Sequence, residues 1–499
     1  MKRLDSSANR MQMKHAIIFG LVALMVGSSA RAADQSTTTT TNTSTPAVEG
    51  TGYMPDFLRG EEGRGVGITD DGKTRLHLSL DAGFGYNSNP YSLANGNEAA
   101  PGSAPIRGDI VLKLRPILYL AARGKKMSFE MGLGADWAGF PGALGGPRQF
   151  VLFTGRAYGR GEVNQGGVAS LFLRGDVLAT REVGQLYVAN FTHIRTEVDV
   201  GSTIRPGSVT KLDLDAQFVK EIWPQDLFGS TQNGLAGAPP ANAAAAALVN
   251  ANQVANNFNN TGIYGHARLN WRVMPKTSLF LEGKSGTFTT LLDSDLTEVP
   301  VWVTAGVISG LGGNVTGTLS VGYADTFMQV GSATLKHDNI PVSAEASLIW
   351  DDHRGSQLSA GVTRQMSPVP DFLDVFANTA YLSLNEDFGH NVTLVFAPSA
   401  SIYQFGRPEA ARKAGLGSQR IDYSFDGRVE LAYHFKKWLA LGIAEAFTAR
   451  WTNADLTGNP ALQIANVPAG AAGLIASASG NVQALFNRSE TLLVLNMTY

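Results

Sequence analysis

Residues 74–87 read Thr-Arg-Leu-His-Leu-Ser-Leu-Asp-Ala-Gly-Phe-Gly-Tyr-Asn. Leu76, Leu78, Leu80, Ala82, Phe84 and Tyr86 hold the even positions, and Arg75, His77, Ser79, Asp81, Gly83 and Gly85 the odd ones. Successive side chains of an extended chain point to opposite faces, so this stretch sets one face in an apolar medium and the other in water.

The alternation recurs along the chain. Ile110, Leu112, Leu114, Leu118 and Leu120 oppose Asp109, Lys113 and Arg115. Ile194, Thr196, Val198, Val200 and Ile204 oppose Arg195, Glu197 and Asp199, and Leu212, Leu214, Ala216 and Phe218 oppose Lys211, Asp213, Asp215 and Gln217. Ile263, Ala267, Leu269 and Trp271 face away from His266, Arg268 and Asn270. Ile421, Tyr423, Phe425, Val429, Leu431 and Tyr433 face away from Asp422, Asp426, Arg428 and Glu430. Strands of soluble sheets average five or six residues, whereas these run to about 12–15. A strand tilted across hydrocarbon needs about 9–11 residues plus overhangs.

Connections alternate as well. Short ones, rich in Gly, Asn or Pro, fall at 123–126, 163–167, 205–208, 274–276, 310–314, 351–356, 387–391 and 436–437. Longer segments lie near 88–106, 138–149, 181–190, 224–260, 291–299, 325–339, 366–374, 406–419 and 453–480. Eight short and nine long connections imply eighteen strands with both ends on one side. The expected fold is all-β, a transmembrane antiparallel up-and-down β-barrel of about 18 strands. Its turns are short on the periplasmic side and its loops long on the extracellular side. All seven Trp fall at or near strand ends in this register, where interfacial belts concentrate indole rings. The chain closes on an alternating strand over 481–499, with Leu493, Leu495, Met497 and Tyr499 on one face.

The first 73 residues divide in two. Lys14 and His15 precede an apolar run over 16–26, followed by Ala30-Arg31-Ala32. This reads as a secretory signal over 1–32 cleaved near Ala32, since eleven apolar residues are too few to span a bilayer. Residues 33–73 then read as a Thr/Ser-rich and Gly-rich periplasmic segment, with the barrel over 74–499. The expected location is the bacterial outer membrane. The 499 residues include no Cys, which excludes disulfides, thiol nucleophiles, thiolate metal sites and lipoprotein anchoring. A net charge of −2 gives no bias toward nucleic acid, and none is expected as a partner.

The polar faces supply the candidate site. In this register Arg75, Asp81, Lys113, Arg115, Glu197, Asp199, Arg268, Asp422, Arg428 and Glu430 line the lumen. Acidic and basic groups are about balanced, whereas a strongly ion-selective constriction shows one sign. His434 reads as a wall pair with Glu430. No His lies in a nucleophile or metal-ligand motif, so no catalytic residue, metal or cofactor is expected. Segment 241–248, Ala-rich and helix-prone, would form either a constriction in the mouth or a surface cap. A plugged siderophore-type transporter is disfavoured, because only about forty residues of the mature chain precede the first strand, too few for a folded plug.

The first strand ends Gly83-Phe-Gly-Tyr-Asn-Ser-Asn-Pro-Tyr91. This resembles the Gly-Tyr-Asp/Asn-x-Asn segment at the same place in outer-membrane barrels encoded with exopolysaccharide and capsule synthesis genes. The resemblance implies an eighteen-stranded export pore working with a periplasmic polysaccharide-export protein. The alginate-type barrel of that group has a basic lumen, and the balanced charge here departs from it, which leaves a neutral or mixed-charge glycan as cargo. The expected function is thus an outer-membrane conduit for polysaccharide export. A passive solute porin and a barrel anchor for an adhesion or motility machine are the alternatives. Outer-membrane lipid and the barrel assembly machinery, reading the strand that ends in Tyr499, are the other expected partners.

Unboiled protein should migrate anomalously on detergent gels and shift on heating. Leu112→Arg on the lipid face should cost about 2–4 kcal/mol in unfolding measurements, while Lys113→Leu reads as mild.

Overall fold

A computed structural model describes residues 66–67, 74–89, 108–141, 150–183, 190–222, 260–290, 296–330, 333–335, 339–352, 356–369, 372–389, 391–406, 420–436, 438–454 and 478–498. Eighteen long antiparallel strands form the wall. They are β1 (Thr74–Asn87), β2 (Asp109–Arg123), β3 (Met127–Phe140), β4 (Phe150–Val163), β5 (Ala169–Val183) and β6 (Asn190–Ile204). Next come β7 (Thr210–Ile222), β8 (Asn260–Met274), β9 (Thr277–Thr290), β10 (Leu296–Gly312), β11 (Val315–Val330) and β12 (Val342–Asp351). The circuit finishes with β13 (Gln357–Val369), β14 (Phe372–Asp387), β15 (Val392–Phe396 and Ser399–Phe405), β16 (Ile421–Lys436), β17 (Leu439–Ala454) and β18 (Ala478–Thr498). Each strand pairs with the next, and β1 pairs with β18 from Ser79↔Thr498 to Asn87↔Glu490, so the sheet closes on itself.

Closure is what hydrocarbon demands. A lipid-exposed strand edge would leave peptide groups without partners, each costing several kcal/mol. The outer face carries the apolar half of every alternation: Phe84, Leu112, Leu319 and Leu431 are 56%, 42%, 60% and 51% exposed. Their neighbours one residue along face inward and are less exposed, Val111 and Ser320 being buried. Asp325, Glu445 and, at the end of β14, Glu386 are carboxylates on the outward alternation, and each accepts a hydrogen bond from a hydroxyl, of Tyr323, Thr491 and Ser356 respectively.

All eight short connections fall where sequence places them. Positive φ at Asn164 and Gly166, at Gly312 and Gly313, and at Gly389 and Asn391 gives three of these turns their reversal. Two expectations need correction. Segment 366–374 is not a long connection: β13 runs to Val369, β14 starts at Phe372, and these two residues pair. Its Ser, Pro and Asp content reads as a loop, yet the ladder is carried by residues able to pair on the β13–β14 side. Trp302 is not in an interfacial belt; it pairs with Lys284 inside the wall. The strand β15 is interrupted at Ala397 and Pro398, where the missing proline N–H breaks the ladder while Ala397 and Arg428 still exchange backbone bonds of 2.8 and 3.2 Å.

Residues 1–65, nearly all of 224–260, most of 453–480 and Tyr499 lie outside the described residues, so the signal, the tether and both long loops are not placed. Within 33–73, Val66 and Gly67 pair with Leu76 and Arg75 on the free flank of β1. Of the segments read as loops, Asn260 belongs to β8 and 478–480 to β18.

The seam between β1 and β18 relies on glycine. A Cβ on Gly85 would come 1.8 Å from the Thr491 carbonyl oxygen, and one on Gly83 would touch Lys113 and Leu492. Gly85→Val should therefore weaken closure, and the folded band on unboiled gels should disappear at a lower temperature than for the unaltered protein.

Candidate functional site

The inner surface has two unlike halves. From β1 to β9 and from β16 to β18 it is a mesh of ion pairs. Arg115 bridges Asp136 at 3.0 Å and Asp81 at 3.4 Å. Arg156 is paired with Asp176. Arg174 holds Glu197 and, at 2.7 Å, Asp199, while Arg195 reaches Glu197 at 3.0 Å and Glu221 at 3.1 Å. On β8 and β9, Arg268 donates to Glu282 at 2.9 Å and lies 4.3 Å over the Phe280 ring. His266 Nδ1 sits 2.6 Å from Asp215. Lys284 donates to Gln217 at 2.5 Å and faces the rings of Tyr264 and Trp302 at 4.7 and 5.8 Å.

The mesh follows from register. Residues directly opposite on antiparallel strands share a face, so inward charges of opposite sign meet across the ladder. One row runs Thr203, Asp213, Arg268, Glu282 and then Thr304, Gly322, Ser343, passing from charge to neutrality as it crosses from β9 to β10.

Beyond that boundary the inner wall carries hydroxyls. A second row runs Gly306, Ser320, Glu345, Thr363, Thr379, Ser401 and Ser424 from β10 to β16. A third runs Thr318, Ser347, Gly361, Tyr381 and Ser399. Thr379 and Ser401 are 2.9 Å apart, and Ser347 donates to Glu345 at 3.2 Å. Among the described residues, the inner faces of β10 to β15 carry charge at Glu345 in the span and at Glu298, Asp351 and Asp387 toward strand ends.

All ten residues read from sequence as lumen-lining lie on inward positions. Arg75 stands at the periplasmic end of β1, opposite Ala121. Asp81 is held by Arg115 and by the amide of Asn496. Lys113 crosses β1 above Gly83 to reach Glu490 on β18. Glu197, Asp199 and Arg268 belong to the mesh just described. Asp422 accepts from Arg420 and from Thr452, both at 2.5 Å, and Arg428 pairs with Glu430 on its own strand. The last pairing corrects the expected Glu430–His434 contact: His434 Nε2 instead lies 3.1 Å from the Thr393 hydroxyl. A carboxylate finds a guanidinium two residues along the same face before it finds an imidazole that already has a cross-strand partner.

Sequence reading by charge missed the neutral half and the aromatic group of Tyr264, Phe288 and Trp302 that packs with Val219 on the inner wall. The signal was present: Thr316, Thr318 and Ser320 alternate with Gly317 and Leu319 just as charges do elsewhere.

No family model and no curated protein matches the chain. Solved structures do, at the level of general shape. The FrpB iron transporter from Neisseria meningitidis is 9% identical with a TM-score of 0.40, over 85% of this chain and 81% of that one. The siderophore receptor PirA from Pseudomonas aeruginosa is 7% identical at 0.37, over 85% and 80%. Pseudomonas aeruginosa OpdL is 10% identical at 0.38, over 85% and 98%. Likeness this low says nothing about cargo.

The ion pair across the seam changes the outlook for Lys113. Glu490 is 4% exposed and, when the ammonium is removed, keeps the Asn87 amide at 2.8 Å and the more distant attraction of Arg488. Lys113→Leu should thus cost about 1–3 kcal/mol rather than being mild. Lys113→Leu combined with Glu490→Leu should recover most of that loss in urea unfolding of the refolded barrel.

Proposed function

We propose that the barrel is a conduit for a neutral glycan, working in polysaccharide export across the outer membrane. The observation that carries this reading is the division of the lumen. On the charged half, acids and bases sit in mutual contact, so their fields largely cancel at a distance and no fixed charge of one sign attracts or repels a passing polymer. On the other half, hydroxyls offer donors and acceptors along three successive rows. Each hydrogen bond made to a sugar hydroxyl replaces one made to water, so its net worth is about 1 kcal/mol or less and it exchanges readily. A track of weak, interchangeable partners suits a chain of repeating polyhydroxy units that must bind enough to enter and little enough to leave.

Supporting this reading is the 83–91 segment, with its resemblance to export barrels. Transport would be driven from the periplasmic side by an export protein meeting the short turns or the segment before β1. Delivery to the membrane would use the strand that ends the barrel, through the assembly machinery.

A strain lacking the protein should accumulate glycan in the periplasm while taking up small solutes at the normal rate. Slowed solute uptake without glycan accumulation would point instead to a passive porin, and absence of any conductance in planar bilayers to an anchor. Within the conduit reading, a linear neutral oligosaccharide should transiently block the ion current. Thr318→Val with Ser320→Ala should weaken that block severalfold while leaving the open-channel current nearly unchanged.

A further inference from the structure

Near the top of the barrel, one ribbon of the wall lies inside it. Pairing between β12 and β13 stops at Ala344↔Arg364, yet β13 and β14 continue together to Val369↔Phe372. Along this ribbon Arg364, Met366, Phe376 and Asn378 share the alternation of Val362 and Ala380, the lipid-facing one. Met366 and Phe376 should accordingly be exposed. They are 4% and 0% exposed, packed against Ala324 and Trp302.

Ala324 and Trp302 pair with each other on the inner faces of β11 and β10. The Trp302 indole N–H donates to the Met366 carbonyl at 3.4 Å, and the Thr326 hydroxyl lies 3.6 Å from the Met366 sulfur. Strands β10 and β14 are four steps apart in the wall, about 19 Å along its circumference at ordinary strand spacing. Side chains from the two meet only if the ribbon leaves the wall and crosses into the lumen, its outer face laid on the inner face of its neighbours.

Arg364 fixes the ribbon at its bend. Its Nε donates to the Val342 carbonyl at 3.0 Å and Nη2 to the Ile340 carbonyl at 3.1 Å. Nη1 donates to Asn378 and Gln404, both at 2.7 Å, and the guanidinium lies 4.4 Å over the Phe376 ring. One side chain thereby ties β13, β14, β15 and the approach to β12 at a single level. Above it, β13 has lost its β12 partner, and Pro368 supplies no N–H with which to regain one. A two-stranded ribbon has little stability of its own, so its position depends on Arg364 and on the small apolar contact with Trp302 and Ala324.

We propose that this ribbon is a gate: folded inward it narrows the mouth, and release of the Arg364 clasp lets it swing back toward the wall and widen the path. The proposal rests on the reading of the barrel as a conduit, and concerns its regulation. The chain has no Cys, so Thr326→Cys with Met366→Cys would create its sole thiol pair. The full-length protein carrying both changes, its fold checked by the heat shift on gels, would be studied in planar bilayers.

The oxidised, cross-linked form should stay in a low-conductance state, and reduction should restore openings. Separately, Arg364→Ala should raise the open fraction severalfold, and Arg364→Lys, which cannot make the forked contacts, should behave closer to Ala than to Arg. A cross-linked channel that conducts as the reduced one does would overturn the gate and leave the conduit standing. Silence in every form, reduced and Arg364→Ala included, would remove the conduit and the gate together. Should Arg364→Ala fail to fold, the cross-linked and reduced pair decides the matter alone.

Discussion

A strand that crosses hydrocarbon cannot leave a peptide N–H or C=O without a partner, and every other feature of this barrel answers to that constraint. It forces the sheet to close, which joins β1 to β18. It fixes each strand's two faces, apolar outside and polar within, because a slip of one residue would turn Arg and Asp toward lipid. It also accounts for the tolerated interruption at Ala397 and Pro398: the flanking rungs with β16 persist, and Leu382 N–H still finds the Pro398 carbonyl at 3.0 Å.

Inside the wall the problem is reversed, since polar groups must be kept from trapping whatever passes. The two halves solve it differently. The charged half places Arg and Lys opposite Asp and Glu across the ladder, so a buried guanidinium such as Arg268 has its carboxylate at hand. Pairs of this sort contribute modestly to stability once desolvation is counted, but losing one partner leaves the other exposed to the full penalty. The hydroxyl half carries little charge, with Glu345 in its span and the others toward strand ends. Ser and Thr satisfy one another, as Thr379 and Ser401 do, and can turn their O–H toward solvent or solute at little cost.

Much of this was legible in the sequence, because period-two alternation sustained over a dozen residues demands an extended chain with unlike media on its two sides. The strand count, the short turns and the inward direction of Arg115, Glu197 and Asp422 follow from that pattern alone. What did not follow is where the pattern and the fold part company. Met366 and Phe376 obey the alternation of their strands and look lipid-facing; only the inward course of the ribbon, a tertiary event, buries them. Trp302 looks like a belt residue by its place in the chain and is an inner one by its register with Lys284. Which carboxylate each cation takes depended on distances that spacing does not encode, hence Arg428 rather than His434 beside Glu430.

The seam has a consequence for how the protein comes into being. Asn87 and Glu490, bonded across it, are 403 residues apart in the chain. Hairpins along the wall can zip locally, but this contact must wait until nearly everything else has been synthesised and brought round in a loop of that length. Until then the growing sheet offers two long unsatisfied borders, each a template for the wrong neighbour. A polypeptide of this design must be chaperoned as an open ribbon, and its productive lifetime starts with a single late event at which the ends meet.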